Sequence, residues 1–176
     1  EMCIRDRVGS AVRRLMDVNP NGVVVVSAYV SSAALATAMR EKGSRAQIMN
    51  VSFVGTKALQ QAMPVSVSNG IGVAQVVPFP WNRWIPVVAE YQKLMRLNSE
   101  DQGFGFTSLE GFLAARLITD ALDRAGPDPT RDSLVKAMES IRDLDLGGFR
   151  IEMDRDDHQA SDFVELTFLG SQSWEP

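Results

Sequence analysis

The sequence predicts an α/β fold built on a parallel sheet flanked by helices, and three observations carry that expectation. "VVVV", Val23–Val26, is a continuous β-branched run of the kind found in strands buried on both faces of a parallel sheet. Two more short apolar runs, "AQIMNV" and "GVAQVV", come after it, each bounded by turn residues. Helical spacing fills the segments between them. Strand, helix, strand, helix, strand with short links is the pattern of right-handed crossovers.

Each element can be justified in order. Val8, Ala11, Val12, Leu15 and Met16 share one helical face, and "NPNG" at Asn19–Gly22 ends that helix. After the strand Val23–Ser27, Ser31 or Ser32 is suited to cap a helix whose inner face is Leu35, Ala38 and Met39. Gly43 suits its C-terminal end. A strand at Gln47–Asn50 leads to a helix from Thr56 to Met63, stopped by Pro64, and then to a strand at Val73–Val77.

"PFPWNRWIP", Pro78–Pro86, holds three prolines and two tryptophans and reads as a stiff crossing segment. Three amphipathic helices come next. Val88, Tyr91, Leu94 and Met95 mark the first. The second opens on Thr107-x-x-Glu110, a capping-box pattern, and continues through Leu109, Phe112, Leu113, Leu117, Ala121 and Leu122. Thr130 caps the third, with Leu134, Met138 and Ile141 on its face. Two alternating strands end the pattern: Phe149, Ile151 and Met153, then Val164, Leu166 and Phe168. Both are expected to join or flank the sheet, with a solvated hairpin loop between them.

Composition narrows the function. The 176 residues are 45% hydrophobic and 23% charged, with a net charge of −4 and no basic patch, so nucleic acid is not an expected partner. No apolar run approaches the ~20 residues that a membrane-spanning helix needs. Cys3 is the only cysteine, which excludes an internal disulfide and a CxxC metal pair. The opening "EMCIRDR", residues 1–7, reads unlike the rest of the chain, as a foreign or disordered segment.

Chemical motifs are few. Asp154, Asp156, His158, Asp162 and Glu165 approximate a calcium loop, but Gln159 stands where that loop needs glycine. His158 has no second histidine or cysteine near it to share a zinc ion. There is no GxSxG nucleophile turn. Gly70-x-Gly72 and Gly103-x-Gly105 lack the third glycine and the strand-to-helix setting of a dinucleotide loop. No metal, no cofactor and no catalysis are therefore expected.

The strand ends carry the expected site. In open α/β sheets ligands sit beyond the carboxyl ends of the strands. The first strand runs out at Ser27, Ala28 and Tyr29, the second at Asn50, Val51, Ser52 and Phe53. These loops offer a phenol, hydroxyls, an amide and a phenyl ring, a surface suited to holding a small molecule. The alternative is that Tyr29 and Phe53 simply cap the core.

In order, "VVVVSAYVSSAALATAMREKG", "IMNVSFVG", "VAQVVPFPW", "VVAEYQKL", "SLEGFLAARLITDALDRAGP", "TRDSLVKAMES", "DLGGF" and "HQASDFVELTFLG" resemble the periplasmic solute-binding proteins of the branched-chain amino acid ABC transporter family. The resemblance runs from Val8 to Trp174. It implies part of a two-lobed type I periplasmic-binding fold whose members are about twice this long, with solute trapped in an interlobe cleft. It implies that 8–77 is the latter part of the second lobe and 78–86 a crossing segment. Residues 87–148 would then be helices completing the first lobe, here incomplete, and 149–176 the return strands of the second.

The resemblance also implies a ligand-lining role for Tyr29, and the strand-end reading sets Ser27, Ala28, Ser52 and Phe53 beside it. Ser52 stands where amino-acid-binding members carry an acid that pairs with the ligand's ammonium group. The implied function is a solute receptor of an ABC uptake transporter, periplasmic or lipid-anchored outside the inner membrane. Its expected partners are a small amino acid-like, carboxylate or amide solute and the ABC permease subunits. It would meet the membrane only through the transporter. A ligand-sensing domain of a signalling or regulatory protein is the alternative. A flavodoxin-like hydrolase is the third reading, and it needs a nucleophile–base pair that the sequence does not offer.

Overall fold

A computed structural model describes residues 2–98 and 103–170. They divide into two compact units: residues up to Gln75 together with those from Glu165, and Val76–Val164. The resemblance's last residues, up to Trp174, lie outside the described residues.

The first unit alternates strand and helix. Helix α1, Met2–Val18, ends at Asn19, whose positive φ of 47° breaks the helical path. Strand β1, Gly22–Val25, leads to α2, Tyr29–Glu41. Strand β2, Gln47–Asn50, is followed by a 3-10 turn at Ser52–Val54 and two short helices, α3 at Thr56–Gln61 and α4 at Val65–Ser68. Strand β3, Gly72–Gln75, completes the series. β1, β2 and β3 lie parallel, with Val25 opposite Asn50 and Asn50 opposite Val73.

Helix α2 begins two to three residues before the expected serine caps. Ala28 is its N-cap, with no side-chain cap, and Ser32 instead turns inward and donates to the Ser27 carbonyl at 3.4 Å. Its C-terminus follows the expectation. Gly43 takes φ +82° and donates to the Arg40 carbonyl, while Ser44 N–H reaches the Met39 carbonyl, the paired bonds of a Schellman end.

One face of this sheet is buried. Val25, Ile48, Val73 and Leu169 pack with Val12 of α1, Ala33, Ala36 and Met39 of α2, Leu59 of α3 and Val67 of α4. The "VVVV" run is therefore not buried on both faces as expected: Val25 is 7% exposed and Val24 is 74% exposed. The reason is that α1 to α4 all contribute to a core on the Val25 side, so alternate residues of the run point away from it.

The second unit holds α5, Pro86–Asn98, α6, Phe106–Ala125, and α7, Arg131–Glu139. Phe106, Leu109, Leu113, Leu117 and Ala121 recur at helical spacing on the buried side of α6. Thr107 lies inside α6 and caps nothing; Gly105 is the N-cap, and its N–H donates to the Tyr91 hydroxyl at 3.0 Å. Thr130 does cap α7, exchanging side-chain and backbone hydrogen bonds with Ser133. The proline-rich stretch forms no helix or strand beyond turns, and its Phe79 and Trp81 rings meet Phe106 at 6.0 and 6.3 Å.

The last two strands do not form a hairpin. Arg150–Ile151, β5, pairs antiparallel with Leu144–Asp145, β4, inside the second unit. Gly147 and Gly148 make that turn at φ +99° and +86°, and the Asp145 carboxylate accepts both their N–H groups at 2.8 and 2.6 Å. Phe149, Ile151 and Met153 thus face the helical core and not the sheet. Glu165–Phe168, β6, does join the four-stranded sheet, antiparallel to β3, in the order β1-β2-β3-β6.

Candidate ligand-binding site

The parallel register fixes where the expected residues lie. Because Val25 pairs with Asn50, the loops after β1 and β2 leave the sheet side by side at its carboxyl edge. Ser27 and Ala28 occupy the first loop and Tyr29 opens α2; Ser52 and Phe53 open the turn after β2. All five expected residues are at this edge. Ser27 and Ser52 are half-buried and Ala28 is exposed. Tyr29 is 43% and Phe53 64% exposed, so neither ring serves as a lid on the core.

Backbone geometry holds the two loops. Ser32 N–H bonds the Ala28 carbonyl at 3.1 Å, beginning α2, and Val54 N–H bonds the Val51 carbonyl at 3.2 Å. Gly55 takes φ +74° to redirect the chain into α3. The first amides of α2 have no side-chain cap, so this end of the helix presents unpaired N–H groups and the positive end of its dipole. Between Val26 and Val30, and between Asn50 and Gly55, Tyr29 carries the sole ionisable side chain.

Beneath the loops lies a polar layer that sequence reading missed. Gln75, 1% exposed at the end of β3, donates to the hydroxyls of Thr56 at 2.9 Å and Thr167 at 3.0 Å. Asn50, at the end of β2, donates to the Gly72 carbonyl at 3.4 Å, while its Oδ1 has no protein partner. These bonds tie the end of β2 to β3 and the end of β3 to α3 and β6. The available signal was a polar residue ending each apolar run, "IMN" and "VAQ".

The acidic stretch around His158 does other work. Asp154 Oδ1 accepts the backbone N–H groups of Asp156 and Asp157, each at 2.8 Å, and Asp157 accepts that of Gln159 at 2.8 Å. Gln159 in turn donates to Asp162 at 2.7 Å. His158 Nε2 lies 3.1 Å from Glu139. The carboxylates serve as turn acceptors, and among the described residues no cluster of three or more His, Cys, Asp or Glu is arranged to hold a metal ion. A cavity of about 490 Å³ in the second unit is lined in part by Arg150, Glu152, Ser161 and Phe163, together with Asp154, Asp157 and Asp162 of this same turn network. Among the described residues no helix is long and apolar enough to cross a membrane.

A family profile described as periplasmic binding protein matches residues 6–167. The chain belongs to the periplasmic binding protein family. Among solved structures, a possible leucine/isoleucine/valine-binding protein from Rhodopirellula baltica is 32% identical with a TM-score of 0.82, over 88% of this chain and 42% of that one. A substrate-binding periplasmic protein from Ralstonia solanacearum is 28% identical with a TM-score of 0.81, over 93% of this chain and 47% of that one. A fatty acid ABC transporter substrate-binding protein from Thermomonospora curvata, 19% identical, shares the fold with a TM-score of 0.75 over 90% of this chain and 42% of that one. A search of curated protein sequences gave no match. This periplasmic binding protein chain thus has the type I α/β architecture and spans less than half the length of these structures.

Proposed function

We propose that this chain is part of a solute-binding receptor of an ABC uptake transporter, working outside the inner membrane and delivering its solute to permease subunits. Residues 8–77 and the return strand form part of one lobe in this reading, and 87–148 belong to the other, with 78–86 crossing between them. The observation that carries the reading is the pair of loops at the carboxyl edge, where exposed Tyr29 and Phe53 flank half-buried Ser52. Tyr29 supplies a flat apolar wall with a polar tip. Ser52 can donate and accept a hydrogen bond but cannot neutralise a cation. An ammonium group held here without a charged partner would forgo several kcal/mol of compensation for its desolvation. The site therefore favours neutral or anionic solutes with an apolar body, small carboxylates or amides, over zwitterionic amino acids.

The test is a melting-temperature screen on the complete protein. A solute at 100 times its dissociation constant stabilises the folded state by about 2.7 kcal/mol. Carboxylates or amides are expected to give the largest shifts, reduced by Tyr29→Ala and Ser52→Ala. Leucine, isoleucine or valine as the best ligand, with both variants unaffected, would refute ligand class and site together.

A further inference from the structure

The amino edge of the sheet gathers basic residues from two separate stretches of the chain. Helix α1 ends at Val18, just before β1 begins at Gly22, and α2 ends at Glu41, just before β2 begins at Gln47. Gly22 and Gln47 are register partners, so both helices finish at one edge, opposite the loops that carry Tyr29 and Ser52. Val12 of α1 shares a core with Ala36 and Met39 of α2, which keeps the two helix ends together. Arg13 and Arg14 lie in the last two turns of α1, Arg40 in the last turn of α2, and Lys42 and Arg45 in the segment that follows.

Only Arg40 has work inside the fold. Its guanidinium donates to the Ser44 and Ala46 carbonyls, each at 2.9 Å, and holds the segment that leads into β2. Arg13, Arg14, Lys42 and Arg45 are exposed, and among the described residues none of the four has an ion-pair partner. Arginines of the second unit differ: Arg116 pairs with Glu90, Arg124 with Asp120 and Arg150 with Asp143. Asp17 and Glu41 are the only acids on residues 13–22 and 40–47, so positive charge is in excess at this edge although the whole chain is acidic. Those two stretches carry no aromatic residue.

We propose that this basic edge docks on an anionic phospholipid surface and holds the protein against the bilayer while the opposite edge of the sheet stays free for solute. A cluster of four or more unpaired Lys and Arg is what anionic headgroups attract, each side chain near the surface contributing about fivefold in affinity. Without an aromatic ring to enter the interface or to stack on a base, the contact is electrostatic and weakens as salt rises. The choice of a bilayer rests on the receptor reading, which puts the protein outside the inner membrane, beside phospholipid and away from nucleic acid.

The experiment is co-sedimentation of the complete protein, without solute, with vesicles of phosphatidylglycerol and phosphatidylcholine in equal parts. Binding is expected at low salt, falling as salt rises, with none to vesicles of phosphatidylcholine alone. Arg13→Gln, Arg14→Gln, Lys42→Gln and Arg45→Gln combined should weaken it about 100-fold or more. The matched control is Lys93→Gln, Arg131→Gln, Lys136→Gln and Arg155→Gln combined, which removes as many exposed cations from the second unit and should retain binding. No binding to the anionic vesicles, equal binding to the neutral ones, or equal losses in the two variants would each overturn the proposal. Tighter binding to duplex DNA than to the anionic vesicles would overturn it too. Solute shifts of the melting temperature are read separately, so a failure here and a failure of the receptor reading are distinguishable.

Discussion

The two units solve the problem of a core in different ways. Among the described residues the buried core of the sheet unit holds no aromatic ring: Val25, Ile48, Val73 and Leu169 meet Ala33, Ala36 and Met39. The helical unit is built around rings. Tyr91, Phe106 and Phe149 are buried, and Phe79, Trp81, Phe104, Phe112 and Phe163 pack against them. The difference follows from the backbone. A four-stranded ladder fixes strand spacing, and alanines let α2 approach it closely. Among its described residues the second unit has only the short β4–β5 pair, so no long ladder sets the spacing of its helices, hairpin and proline-rich segment. Large flat side chains with few rotamers fill such space well.

The largest effect is expected where a ring is removed. Phe106→Ala should destabilise by about 3–5 kcal/mol, because Phe79 and Trp81 would face the resulting cavity. Urea denaturation measures it. A cost under about 1 kcal/mol would mean that the ring cluster does not frame the second unit.

The sheet unit should resist addition more than deletion at one position. Met49 lies across Gly72, and a β-carbon there would come within 2.2 Å of the Met49 sulfur and 3.2 Å of the Phe168 ring. Gly72→Ala is expected to cost about 1–3 kcal/mol, moderated by the flexibility of the methionine. Met49→Ala in the same chain should recover part of that loss. Additive losses in the double variant would show that the backbone, not the thioether, resents the methyl group.

The same contrast decides what could be read in advance. β1, β2 and β3 were legible because parallel strands are short continuous apolar runs between turns, and the long helix α6 because five buried residues keep one spacing. Phe149, Ile151 and Met153 alternate like a sheet strand, and one side of them is indeed buried. Alternation specifies a buried side but not the partner, and the Gly147–Gly148 turn gives β5 to β4 before the main sheet is reached. The exposed half of "VVVV" was illegible for a related reason: a continuous apolar run does not say how many of its faces are covered, and the described helices pack on the Val25 side. The placement of Tyr29, Ser52 and Phe53 at the carboxyl edge was legible from the rule for strand ends. Gln75 was not, because its burial depends on Thr167, a partner 92 residues away.

The smallest expected effect separates the units by their turns. Glycines at positive φ turn the chain in both units, at Gly43, Gly55 and Gly70 in the first and at Gly126, Gly147 and Gly148 in the second, and the second adds carboxylate acceptors at Asp145 and Asp154. The N–H groups of Gly148 and then Gly147 hold the Asp145 carboxyl below the usual carboxylate range, with a contribution from Arg150. Those of Asp156 and then Asp157 do the same for Asp154, helped by Arg142 and His158. A carboxyl whose pKa is depressed by folding contributes stability above its unfolded value, and that contribution is lost as pH falls through the folded value. Asp145 is exposed and Asp154 half-buried at the surface, so solvent screens the effect. Asp145→Asn and Asp154→Asn should therefore lower the urea midpoint slightly at neutral pH, and the deficit should shrink as pH falls below the ordinary carboxylate range and the wild-type carboxyls take up protons. A deficit of the same size at both pH values would mean that shape, and not charge, holds these turns.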